Sequence, residues 1–117
     1  MVEIKDWFKK ARSDLKAAEI NLGEGLYDVS SFLSQQAAEK ALMAVYILKF
    51  KRLWKIHDLG ALAKKIGAPE EILTLCNDLT EHYLSTRYPT EAEYKRPDAE
   101  EALMQSRRVV EWAGKRL

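Results

Sequence analysis

The segment from Ser31 to Phe50 constrains the fold of this chain more than any other stretch. Its sequence, SFLSQQAAEKALMAVYILKF, contains neither Gly nor Pro and is rich in residues with high helix propensity. At 3.6 residues per turn its apolar residues fall on one continuous stripe, and in the second half the opposite side is apolar too. The stripe comprises Leu33, Ala37, Ala41, Ala44 and Leu48, and the opposite side comprises Leu42, Val45 and Tyr46. Because a helix that is apolar all round is buried on more than one side, we expect this helix to face its own bundle and a second copy of the protein.

Composition indicates a globular domain without a general affinity for polyanions. The 117 residues fit one domain, residues 1–117, and 47% of them are hydrophobic. The 19 basic and 18 acidic residues nearly balance, which argues against a generally basic nucleic-acid binder. Cys76 is the only cysteine, and its spacing from Ile72 and Leu79 predicts a small buried hydrophobe. The lack of an internal disulfide, of an apolar leader and of a bilayer-length apolar run predicts a cytoplasmic protein with no membrane contact.

Hydrophobic periodicity and punctuation residues predict an all-α fold with five helices. Apolar residues recur at three and four positions in four long segments and one short one, and no alternation typical of a strand is present. Gly and Pro separate the segments, as expected where one helix stops and the next begins. The predicted helices cover about 6–22, 28–50, 57–66, 69–84 and 97–116. We therefore expect an antiparallel bundle of four long helices and one short helix.

The connection 85–96, STRYPTEAEYKR, is the strongest candidate for a binding site. It lacks helical periodicity and is about twice the usual length, and long connections in compact domains are often functional. Arg87 offers a planar fork for a phosphate, and Tyr88, Tyr94 and the preceding Tyr83 offer rings that stack on a base. The alternative is a tyrosine-rich loop packed over the end of the bundle, with Arg87 paired to a nearby glutamate.

Lys40 and His57 are secondary candidates for nucleotide binding. Lys40 lies among apolar positions of the second helix, so it is also expected to extend past them to solvent or to pair with an acid across the bundle. His57 with Asp58 is also typical of a helix start. His82 stands alone in the sequence, and the chain has no metal-binding motif, no glycine-rich phosphate loop and no marked triad serine. We therefore expect neither a metal site nor a cofactor.

Three segments in order, QQAAEKALMA (35–44), HDL (57–59) and STRYP (85–89), resemble the HEPN domain, the higher eukaryotes and prokaryotes nucleotide-binding domain. Gly25, Tyr27 and Phe32 also match its pattern, and the resemblance extends over the whole chain as in the prokaryotic stand-alone type. It implies a bundle of four to five helices and a homodimer packed through helices. It further implies pairing with a small nucleotidyltransferase of the minimal type, in a two-protein system of toxin–antitoxin character.

The same resemblance raises the hypothesis of a metal-independent ribonuclease. Members with that activity carry Arg, four to six further residues and His, and two such sites meet across the dimer. Arg87 matches the arginine, but positions 92 to 94 are Ala, Glu and Tyr, so the histidine is missing. Because a neutral imidazole is the group best suited to move a proton near pH 7, the motif is incomplete as a nuclease.

Three interpretations therefore follow from the sequence. The first is a nucleotide-binding module that also partners a nucleotidyltransferase. The second is a ribonuclease that uses Arg87 with a substitute for the missing histidine, such as Tyr94 or His57, at a dimer cleft. The third is a purely structural dimeric scaffold with no ligand of its own.

Overall fold

Five α-helices, and no strand, make up the part of the chain that the computed structural model describes, which is residues 3–87, 89 and 93–117. The helices are α1 (Ile4–Gly23), α2 (Tyr27–Phe50), α3 (Leu59–Lys65), α4 (Glu70–Arg87) and α5 (Arg96–Gly114). Four are long and α3 is short, so the predicted fold class is confirmed. None of the helices in these described ranges combines the length and the apolar character that crossing a bilayer requires.

Local capping explains where several helices begin and end. The Asp58 side chain accepts a hydrogen bond from the Ala61 N–H at 3.0 Å and caps α3, which makes this helix shorter than predicted. Asp6, the third residue of α1, lies inside the helix, and its side chain accepts a hydrogen bond from the Glu3 N–H at 3.2 Å. At the end of α2, Lys51 adopts a left-handed conformation with φ of 59°, which only glycine takes without cost.

The predicted end of α4 was wrong, and the difference concerns the candidate site. We expected the helix to stop near Leu84, but it continues to Arg87. Arg87 is therefore a helical residue, and the connection that follows is shorter than the sequence suggested. A side chain in the last turn of a helix has a fixed direction, so Arg87 is held more firmly than a loop arginine would be.

The central helix of the core is α2, which contacts all four other helices. Leu42 is 0% exposed and Tyr46 is 2% exposed, so the apolar side of α2 that carries them is covered within one protomer. The helix does leave apolar surface exposed in a monomer, but near its start, where Val29 and Phe32 are 44% and 43% exposed. A substitution such as Leu42→Glu or Tyr46→Glu would disrupt the core rather than an interface.

Buried serines allow close approach of the helices around the N-terminal half of α2. The Ser30 hydroxyl donates to the Ala18 carbonyl oxygen at 2.7 Å, and the Ser106 hydroxyl donates to the Ser34 carbonyl oxygen at 2.6 Å. These bonds tie α2 to α1 and to α5. The N-terminal half of α2 is thus fixed by packing and by buried hydrogen bonds.

Candidate functional site

Arg87, Tyr83 and Phe32 form a small aromatic and cationic cluster at the end of α4. The Arg87 Nη1 atom donates to the Tyr83 hydroxyl at 2.6 Å, and the guanidinium carbon lies 5.5 Å from the centre of the Tyr83 ring. The Phe32 ring lies 5.9 Å from the Tyr83 ring with their planes 35° apart. Because Tyr83 and Arg87 are four residues apart on one helix, they share a face and meet without any help from the loop.

This cluster lines an open cavity of about 440 Å³, which we call the Arg87 site. Its other walls are Asp28 and Val29 from α2 and Thr86 from α4. Phe32 and Val29 are 43% and 44% exposed, so apolar surface faces the cavity beside an exposed guanidinium. An arginine fork, an aromatic ring and a carboxylate on one wall can together contact the phosphate, the base and the sugar of a nucleotide.

Tyr94, which the sequence grouped with Arg87, lies in a different cavity. Its hydroxyl donates to the Ser31 Oγ atom at 2.9 Å and lies 2.8 Å from the Nδ1 atom of His82. The second ring nitrogen of His82 lies 3.0 Å from the Glu101 Oε1 atom. Among the described residues the cavity beside this network, of about 590 Å³, is lined by carboxylates of α4, of α5 and of the connection between them, together with Ser85, His82 and Tyr94. The face of α4 that carries His82 is thus separate from the face that carries Arg87.

Burial governs the chemistry of Tyr94. It raises the pKa of the phenol to about 12, an effect that the hydrogen bond to Ser31 offsets only in part. A phenol with such a pKa stays protonated near pH 7 and is a poor general base there. The hypothesis that Tyr94 replaces the missing histidine therefore receives no support from its surroundings.

His82 is a residue that the sequence did not nominate. Its side chain is 13% exposed, and both of its ring nitrogens have hydrogen-bond partners, one on Tyr94 and one on Glu101. The partners lie 12 and 19 residues away along the chain, so no local pattern could have connected them. The sequence indicated only that His82, five residues before Arg87, lies on a different face of α4.

Lys40 contacts an acid across the bundle, as one of its two structural interpretations expected. Its ammonium group pairs with the carboxylate of Asp14 on α1, and Asp14 also pairs with Lys10 at 3.2 Å. The Asp14 side chain is 5% exposed and the Lys40 side chain is 20% exposed. Lys40 does not line the Arg87 site, and its ammonium group is used within the protomer.

His57 lies in the connection before α3 and contacts Glu39 of α2. Its Nδ1 atom is 2.8 Å from the Glu39 Oε1 atom, while 89% of its own side chain is exposed. It does not line the Arg87 site. Tyr88, the remaining candidate, lies outside the described residues. Of the six residues nominated from the sequence, the structure thus brings together Arg87 and Tyr83.

Other reactive groups in the described ranges show no sign of a catalytic arrangement. Burial raises the pKa of the Cys76 thiol to about 12, so the thiol is a core group rather than a nucleophile. The residues that the structure describes contain no cluster of three His, Cys, Asp or Glu side chains suited to a metal ion.

Phe32 is the aromatic member of the Arg87 site that sequence reasoning did not nominate. Phe32 directly precedes Leu33, so it lies about 100° around α2 from Leu33 and away from the stripe through Leu33 and Ala37. That displaced apolar residue was the available signal. Only the packing of α2 beside α4 shows that this face meets Tyr83.

Comparison with known proteins relates the whole chain to one family. The model of the HEPN domain matches residues 4–117. The protein named "Putative toxin MJ1304" from Methanocaldococcus jannaschii is 30% identical, over 92% of this chain and 83% of the relative. The crystal structure of TT1696 from Thermus thermophilus superposes with a TM-score of 0.89 at 30% sequence identity. The crystal structure of ST0689, an archaeal HEPN homologue, superposes with a TM-score of 0.84 at 29% sequence identity. Both superpositions cover 100% of each chain. An HEPN domain protein from Thermotoga maritima, TM0613, shares the fold with a TM-score of 0.74 at 21% identity, over 93% of this chain and 94% of the other.

Proposed function

The chain belongs to the HEPN domain family, and we propose that it is the HEPN component of a toxin–antitoxin-like pair and binds a nucleotide at the Arg87 site. The name of the 30% identical relative, "Putative toxin MJ1304", supports the toxin–antitoxin part of this proposal. The nucleotide part depends on the geometry of the site.

The observation that carries nucleotide binding is the contact of the Arg87 guanidinium with Tyr83 beside the exposed ring of Phe32. In this arrangement Arg87 contacts the phosphate, and the base lies against the Phe32 and Tyr83 rings. The hydrogen bond of 2.6 Å to the Tyr83 hydroxyl orients the Arg87 guanidinium before the nucleotide binds. The side chain therefore loses less conformational entropy on binding. A charge-assisted hydrogen bond to phosphate contributes roughly 1.5–3 kcal/mol.

Titration of ATP and GTP into the wild type and into Arg87 variants tests this site. Arg87→Ala should weaken binding by at least about tenfold, because about 1.4 kcal/mol corresponds to one decade. Arg87→Lys should recover only part of the loss, since lysine retains the charge but not the fork. Phe32→Ala should reduce the affinity for a nucleoside triphosphate more than the affinity for inorganic tripolyphosphate, because only the nucleotide has a base to stack. Equal affinity in wild type and Arg87→Ala would refute the assignment.

Asp28 gives a second test of how the nucleotide lies. A carboxylate repels phosphate but accepts hydrogen bonds from sugar hydroxyls, so we place the ribose at Asp28 and the phosphates at Arg87. Asp28→Ala should then reduce any preference for ATP over tripolyphosphate. If the phosphates lay beside Asp28 instead, the same substitution would strengthen the binding of both.

We propose two protein partners in the cytoplasm, a second copy of this chain and a nucleotidyltransferase of the minimal type. Exposed apolar residues provide the surface for the second copy: Val29 and Phe32, which line the Arg87 site, and Leu84 of α4. Phe32→Glu should shift the mass measured by light scattering toward the 13.5 kDa monomer, whereas an exposed polar control, Lys64→Glu, should not. Co-purification with a tagged minimal nucleotidyltransferase from the same genome tests the other partner.

The ribonuclease is the second candidate, and one observation bears on it. His82 supplies an imidazole five residues before Arg87, although it lies at a separate cavity and both of its nitrogens are engaged. Cleavage would require His82 to leave Tyr94 or Glu101 and to act on an RNA that spans both cavities. The scaffold interpretation requires no ligand at all, and absence of ATP and GTP binding at millimolar concentration would favour it.

A further inference from the structure

A groove between α1 and α2, far along α2 from Phe32, is not used by the proposed nucleotide site. Its volume is about 970 Å³, more than twice that of the Arg87 site. The floor is apolar and includes Ile4 and Phe8 from α1 and Ile47 and Leu48 from α2. Apolar surface of this kind, in a concave site of this size, is typical of a place where another molecule docks.

The rim of this groove, which we call the α1–α2 groove, is strongly basic although the chain as a whole carries a net charge of only +1. Lys5, Lys9 and Arg12 lie on α1 and Lys51 follows α2, against one acidic side chain, that of Glu3, and Leu117 also lines the groove. Lys5 lies 3.5 Å from Glu3, while the other three cations have no ion-pair partner among the residues that the structure describes. The groove therefore favours an occupant that is apolar on one side and acidic at its edges.

The spacing of the cations indicates the shape of that occupant. Lys5, Lys9 and Arg12 follow one another at four and three residues, so they form a row along one edge of the groove. From Glu3 to Arg12 the wall is about 14 Å long, since each helical residue rises about 1.5 Å. That length matches about two and a half turns of a helix, and a helix with carboxylates at the same spacing places them opposite the row.

Lys51 provides an independent indication that the basic rim is a functional feature. It lies at the edge of the groove and is the sole non-glycine residue with positive φ among those described. Glycine is the residue that favours this helix end, and a side chain here costs on the order of 1 kcal/mol. The lysine thus adds charge to the groove at the expense of backbone stability, a combination that is common at binding sites.

We propose that the α1–α2 groove binds an amphipathic α-helix of a protein partner, with the partner's apolar stripe on the floor and its glutamates or aspartates against the cationic row. This rests on the proposed function only in identifying the partner as the second protein of the pair. A concave trough does not suit a flat lipid surface. It also does not suit RNA, because the floor's aromatic ring is packed at Gly114, where an added Cβ would lie 2.8 Å from the Phe8 Cζ atom.

The experiment uses a defined probe, so it does not require the partner to be known. A fluorescent 15-residue helical peptide of Leu, Ala and Glu carries leucines on one stripe and glutamates on both flanks. Its matched control has lysine in place of every glutamate. Fluorescence anisotropy should show the acidic peptide binding below about 1 mM and the basic peptide binding at least about tenfold more weakly. Hydrogen exchange should show slower exchange at 4–12 and 47–51 in the complex.

Charge reversal and a backbone variant test the mechanism. The double variant Lys9→Glu with Arg12→Glu changes two exposed side chains, so it should fold, and it should invert the preference between the two peptides. Lys51→Gly should raise the melting temperature of the protein and reduce its affinity for the acidic peptide about twofold or more. A lysine that served only as a structural cap would not produce these two opposite effects.

Several outcomes would overturn the proposal. These are no binding of either peptide, equal binding of both, protection elsewhere in the chain, or a wild-type dimer that the double charge reversal converts to monomer without peptide. The last result would assign the groove to a second copy. Nucleotide affinity should be unchanged in the charge-reversed variant, and Arg87→Ala should bind the peptide normally. Failure of this proposal and failure of the nucleotide proposal are therefore distinguishable.

Discussion

Removal of the Lys40 ammonium should destabilise the fold without affecting nucleotide binding. Lys40→Met retains most of the packing of the side chain but leaves the Asp14 carboxylate, which is 5% exposed, without its closest cation. Breaking a buried pair in this way costs about 3–5 kcal/mol. The cost here should be lower, about 2 kcal/mol, because Lys10 stays 3.2 Å from the other carboxylate oxygen and the Lys40 side chain is itself 20% exposed.

Urea unfolding of four variants measures this effect. Lys10→Met is the matched control, since its side chain is 59% exposed and its loss should cost less than about 0.5 kcal/mol. Asp14→Asn should cost about 1 kcal/mol, because Lys40 retains contact with Gln36 at 3.5 Å and can extend toward water. The double variant Asp14→Asn with Lys40→Met should lose less unfolding free energy than the sum of the two single changes, since neither charge of the pair is left buried without its partner.

The reasoning would be refuted by two results. If Lys40→Met changed the free energy of unfolding no more than Lys10→Met does, the pair would not be important for stability. If Lys40→Met kept full stability but reduced ATP affinity about tenfold, Lys40 would be a ligand of the nucleotide, as the sequence allowed. We expect ATP affinity in Lys40→Met to match that of the wild type, because Lys40 does not line the Arg87 site.

Three further predictions concern the buried Tyr94 phenol, the buried Cys76 thiol and the expected lack of RNA cleavage. Because the pKa of Tyr94 is raised to about 12 in the folded protein, from about 10 when unfolded, the protonated phenol stabilises the fold fully below about pH 10. This contribution should be lost as the pH rises from 10 to 12, and the difference in unfolding free energy between wild type and Tyr94→Phe should shrink over that interval; a constant difference would contradict it. The thiol of Cys76, with its pKa raised to about 12, should react with a thiol reagent at about pH 8 only as fast as the protein unfolds, whereas rapid labelling of the native protein would show an accessible site. Unstructured RNA incubated in EDTA should remain intact with wild type and with Arg87→Ala alike, since Tyr94 stays protonated and His82 is engaged; cleavage by wild type that is lost in the variant would establish the nuclease.

The contact between Tyr83 and Arg87 on one helix followed from local spacing, whereas the contacts of Phe32 and Tyr94 with other parts of the chain did not. Tyr83 and Arg87 are four positions apart, so their association needed only a continuous helix. The predicted site was nonetheless incomplete, because Phe32 reaches it from α2. Tyr94 lies apart from Arg87, since its hydrogen bonds run to Ser31 and His82, which lie 63 and 12 residues away.

The fold class and the number of helices were determined by the sequence itself, because the 3.6-residue period and the Gly and Pro positions are local properties of the chain. The end of α4 was not, since the helix continues through Ser85, Thr86 and Arg87 without an apolar period to mark it. Tertiary structure alone decided which apolar side of α2 is covered by which neighbour. A single sequence shows that Leu42 and Tyr46 are apolar, but only packing shows that one protomer covers both. The same applies to the basic α1–α2 groove: helical spacing alone aligns Lys5, Lys9 and Arg12 on α1, but only packing places Lys51 and the apolar floor of α2 beside them.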